Sequence, residues 1–127
     1  MSTAKKAAHD VAIAVTKLAF KLVPDRIPLT LLGAGCSADL CASIAQLGVG
    51  KVLIVTDAML VKLGIVAKIT DALERNGVRW CIYDGVEPDP TFDHVEAGLA
   101  MLRREDCDAV LAVGGGSPMD AAKLIAA

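Results

Sequence analysis

Apolar and polar positions along this chain fall into two periods. In the first 22 residues Val11, Val15, Leu18 and Leu22 recur at three- and four-residue steps, with Lys17 and Lys21 one turn apart among them. That is the period of a helix, and Pro24 and Pro28 end it. After Pro28 short apolar runs alternate with helical patterns. Leu29–Leu32 closes at Gly33, Lys51–Thr56 closes at Asp57, Val78–Tyr83 follows Asn76-Gly77, and Ala109–Val113 closes at three glycines. Between them, 37–47, 58–76 (with a break expected near Gly64) and 91–104 carry the helical period. Four strands separated by helices of this length predict βαβ units, a parallel sheet and helices on both faces. The fourth run, Ala109–Val113, is apolar at all five positions without alternation, and is expected at the centre of the sheet.

The chain therefore divides into an appended N-terminal helix, 1–24, and an α/β domain, 25–127. A mitochondrial presequence is the rival reading of the first segment, but it has no Arg before Arg26 and contains Asp10. A last helix is predicted from Ser117. It reaches Ala127 without a Gly, a Pro or a polar last turn, so that Ala121, Ala122, Leu124 and Ile125 are expected to have little to pack against. The expectation is that the chain is the first domain of something longer.

Composition narrows the class. Hydrophobic residues make up 54% and aromatics 3%, so aliphatic side chains and alanine must build the core, and a disordered chain or collagen-like repeat is excluded. Lys, Asp or Gly interrupts every apolar stretch before the roughly 20 residues that span a bilayer, so no membrane partner is expected. A net charge of −2, without basic clusters beside aromatics, gives no footprint for nucleic acid. Cys36, Cys41, Cys81 and Cys107 show no C-x-x-C spacing and read as reduced structural thiols of a cytoplasmic protein.

Two glycine-rich turns compete for a nucleotide. Gly33-Ala34-Gly35-Cys36-Ser37-Ala38 matches G-x-G-x-x-A, with Asp57 placed 22 residues after Gly35 where a ribose-binding acid is expected. Gly114-Gly115-Gly116-Ser117-Pro118 is the stronger phosphate site. Its glycines let the backbone approach a ligand, and a helix capped by Ser117, with Pro118 first and Asp120 completing S-x-x-D, aims free N–H groups and a positive dipole end into the loop. A tight strand-to-helix turn with no ligand is the alternative. Asp57 is read either as a cap of the following helix or as a ribose ligand, and both can hold together. A P-loop is not supported, for G-x-x-x-x-G-K-[ST] is absent.

The run Val113-Gly114-Gly115-Gly116-Ser117-Pro118-Met119-Asp120-Ala121-Ala122-Lys123 resembles the GGGSPxDxAK signature of the iron-containing (group III) alcohol dehydrogenases. The likeness extends to Tyr83–Thr91 and Leu53–Asp57 and covers about 27–127. It implies the N-terminal, Rossmann-like NAD(P)-binding domain of a metal-dependent enzyme. That enzyme moves a hydride between an alcohol or aldehyde and the nicotinamide, with NAD preferred to NADP, and forms a homo-oligomer, a dimer, when full length. On the resemblance Gly114, Gly115, Gly116 and Ser117 hold the pyrophosphate and Asp57 faces the adenosine ribose. Asp89 lies near the adenine end, where many members have Asn. Asp120 and Lys123 serve helix capping and loop support.

The resemblance also implies a divalent metal, usually Fe2+, held by one Asp and three His of a helical C-terminal domain. This sequence has two histidines, His9 and His94, so those ligands and the catalytic residues are expected outside it. His94, Glu87, Asp89 and Asp93 read as solvated loop and helix-face groups. Related readings are a glycerol or polyol dehydrogenase, a dehydroquinate synthase-like enzyme, or a non-catalytic nucleotide-binding module.

Overall fold

A computed structural model describes residues 30–127. The expected helix over 1–24 lies outside the described residues. In chain order the elements are α1 (Cys36–Gln46), β1 (Lys51–Val55), α2 (Ala58–Lys62), α3 (Ile65–Arg75), β2 (Arg79–Tyr83), α4 (Phe92–Arg104), β3 (Ala109–Ala112) and α5 (Gly116–Ala126). The break between α2 and α3 falls at Gly64, whose φ of 72° is left-handed.

The three strands form a parallel sheet in the order β2-β1-β3. Lys51 to Val55 register with Arg79 to Tyr83 on one side, and Val52 to Val55 register with Ala109 to Ala112 on the other. Side chains of β1 alternate between two apolar clusters. Val52 and Ile54 join Cys41, Val66, Ala72, Leu73 and Val78 beneath α1 and α3. Leu53 and Val55 join Tyr83, Val86, Ala121, Ala122 and Ile125 beneath α4 and α5. Helices thus cover both faces, as the alternation of elements predicts.

Three expectations are corrected. Thr30 to Leu32 forms no strand, and Leu32 is 90% exposed. Both edges of β1 are already occupied by β2 and β3, leaving this short run no inner edge to pair with. The centre of the sheet is β1 and not β3. The unbroken apolar run of β3 reflects two covered faces, with Leu111 in one cluster and Val110 and Ala112 in the other, while only one of its edges is paired. Finally, α5 does find neighbours. Pro118, Ala121, Ala122 and Ile125 recur at helical spacing and are buried, whereas Met119 and Leu124 on the opposite side are exposed.

Two polar ties hold the amino ends of the strands. One carboxylate oxygen of Asp108 accepts from the N–H groups of Gly50 and Lys51 at 2.8 and 2.9 Å, locking β1 to the start of β3. The Lys51 ammonium donates to the Glu105 carbonyl at 2.7 Å and to its carboxylate at 3.0 Å. That bond holds the Glu105 carboxyl below the usual carboxylate range and raises Lys51. A depressed carboxyl stabilises the fold above its unfolded value and loses that contribution as pH falls through its folded value. Glu105→Gln is therefore expected to flatten the acid limb of a urea-midpoint profile relative to the parent protein; an unchanged limb would show the pair to be inert.

Close packing of α4 on α5 depends on Gly98. A Cβ there would collide with Ile125 Cδ1 and lie 3.1 Å from Tyr83 Cδ1. Gly98→Val is expected to lower stability by about 1–3 kcal/mol through overpacking, read as a lower urea midpoint at constant slope.

Candidate functional site

The chain leaves β1 for helices on one face and leaves β3 for a helix on the other, although β1 and β3 are neighbours. Adjacent parallel strands whose following segments diverge open a crevice at their carboxyl ends, where ligands bind in open α/β sheets. A cavity of about 380 Å3 lies there, lined by Asp57, Met59, Val86, Glu87, Pro88, Gly115, Gly116, Ser117 and Pro118. Three loops build it, one from the end of each strand.

Backbone bonds fix its base. Val113 N–H donates to the Val55 carbonyl at 2.9 Å, Thr56 N–H to Tyr83 at 2.9 Å, and Val86 N–H to Thr56 at 3.4 Å. A single antiparallel bridge joins Asp57 to Gly85. The Asp57 side chain caps α2, accepting from Leu60 N–H at 2.9 Å through Oδ1. Capping is therefore observed, and the same residue lines the cleft.

The three glycines have different tasks. Gly114 has φ +144°, and a Cβ on it would lie 2.7 Å from Pro118 Cγ and 3.2 Å from Leu60 Cδ1, so its own chain requires glycine. Gly115 has an ordinary φ of −86° and Gly116 is already helical. A Cβ on either would meet nothing within 4 Å. Neither local conformation nor packing demands glycine at these two positions, and both face the cleft. Space has been left there for a ligand.

The start of α5 corrects the sequence expectation. Gly115 is the N-cap and Gly116 the first helical residue, so Ser117 lies inside the helix and makes no cap bond. Asp120 pairs with Lys123 at 3.3 Å on the exposed surface and closes no capping box. The unconstrained glycines let the helix begin one residue pair earlier. The N–H groups of Gly116 and Ser117 still precede any helical acceptor and stand at the cleft wall, where an anion is favoured.

Of the predicted residues, Asp57, Gly115, Gly116 and Ser117 are brought together. Gly114 supports the turn from behind. Asp89 is exposed with φ +56° and does not line the cleft. Asp and Asn are the side chains that best tolerate that left-handed conformation, which accounts for either at this position. Gly33 and Gly35 shape the entry to α1, Gly35 being its N-cap, and line no part of the cleft. His94 is not a solvated group: its Nδ1 accepts from Thr91 N–H at 3.2 Å in a capping box at the start of α4. Residues 86–88 and Met59 were missed as lining residues. The signal was available, since Val86-Glu87-Pro88 follows the carboxyl end of a predicted strand.

A larger cavity, about 540 Å3, opens at the amino end of the strands beside Lys51, Glu74, Arg79 and Trp80. Its Trp80 N–H is taken by Glu74 at 3.1 Å and Lys51 by Glu105, so these polar groups are satisfied internally. The smaller carboxyl-end cleft is the better site.

A family model described as iron-containing alcohol dehydrogenase matches residues 28–127. This chain belongs to that family. Lactaldehyde reductase of Escherichia coli (strain K12) is 44% identical over 93 residues, covering 73% of this chain and 24% of that protein. A crystal structure of 1,3-propanediol oxidoreductase superposes with a TM-score of 0.69 at 43% identity, over 72% of this chain and 24% of the other. Sulfoacetaldehyde reductase from Bifidobacterium kashiwanohense, solved in complex with NAD+, gives 0.67 at 27% identity over 72% and 24%. The chain thus spans about a quarter of the length of the iron-containing alcohol dehydrogenases it matches. Among the described residues no group of three or more His, Cys, Asp or Glu is gathered to hold a metal, and the iron of the family finds no fit there. No described helix is long and apolar enough to cross a membrane.

Gly115→Val would fill the cleft without disturbing any protein contact, whereas Gly35→Val acts far from its lining. In NAD titrations Gly115→Val is expected to weaken binding by about tenfold or more, about 1.4 kcal/mol, with Gly35→Val close to the parent. The reverse order in folded variants would overturn the assignment.

Proposed function

We propose that this chain is the NAD-binding portion of an iron-containing alcohol dehydrogenase, with the cofactor's pyrophosphate against Gly115, Gly116 and Ser117. The observation that carries the reading is the pair of glycines at 115 and 116, which the protein's own packing does not require and which open onto the cleft. The N–H groups of Gly116 and Ser117 would donate to phosphate oxygens, supported by the positive end of the α5 dipole. Pro118, which has no N–H, shapes the wall without competing for the anion. The relative solved with NAD+ supports a dinucleotide over another anion.

Asp57 would accept a hydrogen bond from the adenosine ribose, using carboxylate capacity left over from capping Leu60. When bound, the cofactor supplies the nicotinamide that exchanges hydride with an alcohol or aldehyde. The described residues contribute binding and orientation to that reaction. The substrate partner is a small alcohol or aldehyde, with a cytoplasmic setting and a dimeric full-length enzyme as further parts of the proposal. Since the described residues gather no metal ligands, the 127-residue chain alone is expected to turn over no alcohol in an NADH-absorbance assay with ferrous iron or zinc added. Turnover near that of an intact dehydrogenase would overturn this division of labour.

Cofactor choice follows from charge. The Asp57 carboxylate would repel a 2′-phosphate, and like charges in a partly dry site cost on the order of a few kcal/mol. NAD is expected to bind more tightly than NADP. Asp57→Ser keeps a capping oxygen and removes the charge, so it should narrow the difference with little loss of stability. Equal affinity of the parent protein for both cofactors would refute the ribose role.

A further inference from the structure

Cys81 and Cys107 stand 26 positions apart, yet their sulfurs lie 3.3 Å from each other. β2 turns Cys81 toward the α4 face of the sheet, the face shared by Tyr83. The turn after α4 returns Cys107 to the same place, its N–H bonded to the Leu102 carbonyl at 3.1 Å. Apart from each other, the sulfurs have only a distant polar neighbour in the Val52 carbonyl, 4.0 Å from Cys81. Both thiols are half-buried and belong to no part of the cofactor cleft. The Lys51 ammonium, pinned by Glu105, acts electrostatically on both sulfurs.

We propose that Cys81 and Cys107 form a reversible redox modification site, oxidised to an internal disulfide by small-molecule disulfides of the glutathione class. The sulfurs need only close from 3.3 Å to the roughly 2.05 Å of a covalent bond. The partners are unequal. Burial first, and the neighbouring Cys81 sulfur second, push the Cys107 thiol up to about 12, so it keeps its proton while Cys81 supplies the attacking thiolate. Cys81 attacks one sulfur of the oxidant, whose S–S bond breaks and releases one thiolate that takes a proton from water. Cys107 then gives its proton to solvent and attacks the Cys81 sulfur of the mixed disulfide, expelling the second thiol. Two protein thiols are oxidised and one small disulfide is reduced to two thiols. The bridge ties β2 to the end of α4 and encloses the loop that carries Val86, Glu87 and Pro88.

The test is incubation of the purified full chain with oxidised glutathione, followed by alkylation and non-reducing peptide mapping. Free thiols are expected to fall from four to two, with a Cys81–Cys107 linked peptide that dithiothreitol dissolves. The oxidised protein is expected to melt higher, by on the order of 10 °C, because the closed loop restrains the unfolded chain. Cys107→Ser should stop at a single glutathione adduct on Cys81, whereas Cys81→Ser should acquire an adduct on Cys107 about tenfold more slowly or worse. Four free thiols after treatment, adducts confined to Cys36, or a linkage involving Cys36 or Cys41 in the parent protein would overturn the proposal.

Discussion

β1 is paired on both edges and covered on both faces, and every other element takes its place from that condition. Its residues Val52 to Val55 are almost wholly out of water. A strand so enclosed must satisfy its backbone through two neighbours and its side chains through two helical layers. The order β2-β1-β3 meets the first requirement, and α1 and α3 opposite α4 and α5 meet the second. Because β2 and β3 lie on opposite sides of β1, the segment from β2 to β3, with α4 within it, must pass over the sheet. The helix after β3 then joins α4 on that face, while the segments after β1 occupy the other. The crevice at the carboxyl ends is the direct geometric result.

What fills the crevice wall follows from the same packing. Burial of Pro118, Ala121, Ala122 and Ile125 fixes the axis of α5 and points its N-terminus at the ends of β1 and β3. Burying a side chain such as Ile125 contributes about 1.5–3 kcal/mol, enough to hold a helix of 11 residues that would be marginal in isolation. Gly114 absorbs the sharp exit from β3, and Gly115 and Gly116 are left with no steric duty toward the protein. An anion-binding end is thus produced by a hydrophobic helix face acting at the other side of the helix.

The two ends of the sheet are chemically different. At the carboxyl end, backbone N–H groups and the Asp57 carboxylate stand in an open cleft. At the amino end, Asp108, Lys51 and Glu105 satisfy one another and the strand termini, with Cys81 and Cys107 packed close by. Polar groups at the amino end consume each other's bonding capacity, which is why the larger cavity there offers less to a ligand.

Local pattern was sufficient for much of this. The βαβ alternation, the break at Gly64, the cap at Asp57 and the triple-glycine turn are dictated by short-range properties: period, φ preference and side-chain reach. The family resemblance in Val113–Lys123 and Tyr83–Thr91 was legible for the same reason, since a phosphate-binding turn is a contiguous piece of chain. Strand order was not legible. A run such as Ala109–Val113 records that its faces are apolar, but pairing of edges uses backbone groups that every residue carries, so only the assembled sheet decided that β1 is central. The sequence could not show that Leu32 would be left in water, that His94 would turn back to cap its own helix, or that two cysteines 26 positions apart would meet. It named Asp57, Gly115, Gly116 and Ser117 but could not tell that Gly114 serves the fold while its two neighbours serve the cleft. That distinction depends on what stands within a few ångströms of each α-carbon, and those neighbours come from Leu60 and Pro118, placed by the tertiary structure alone.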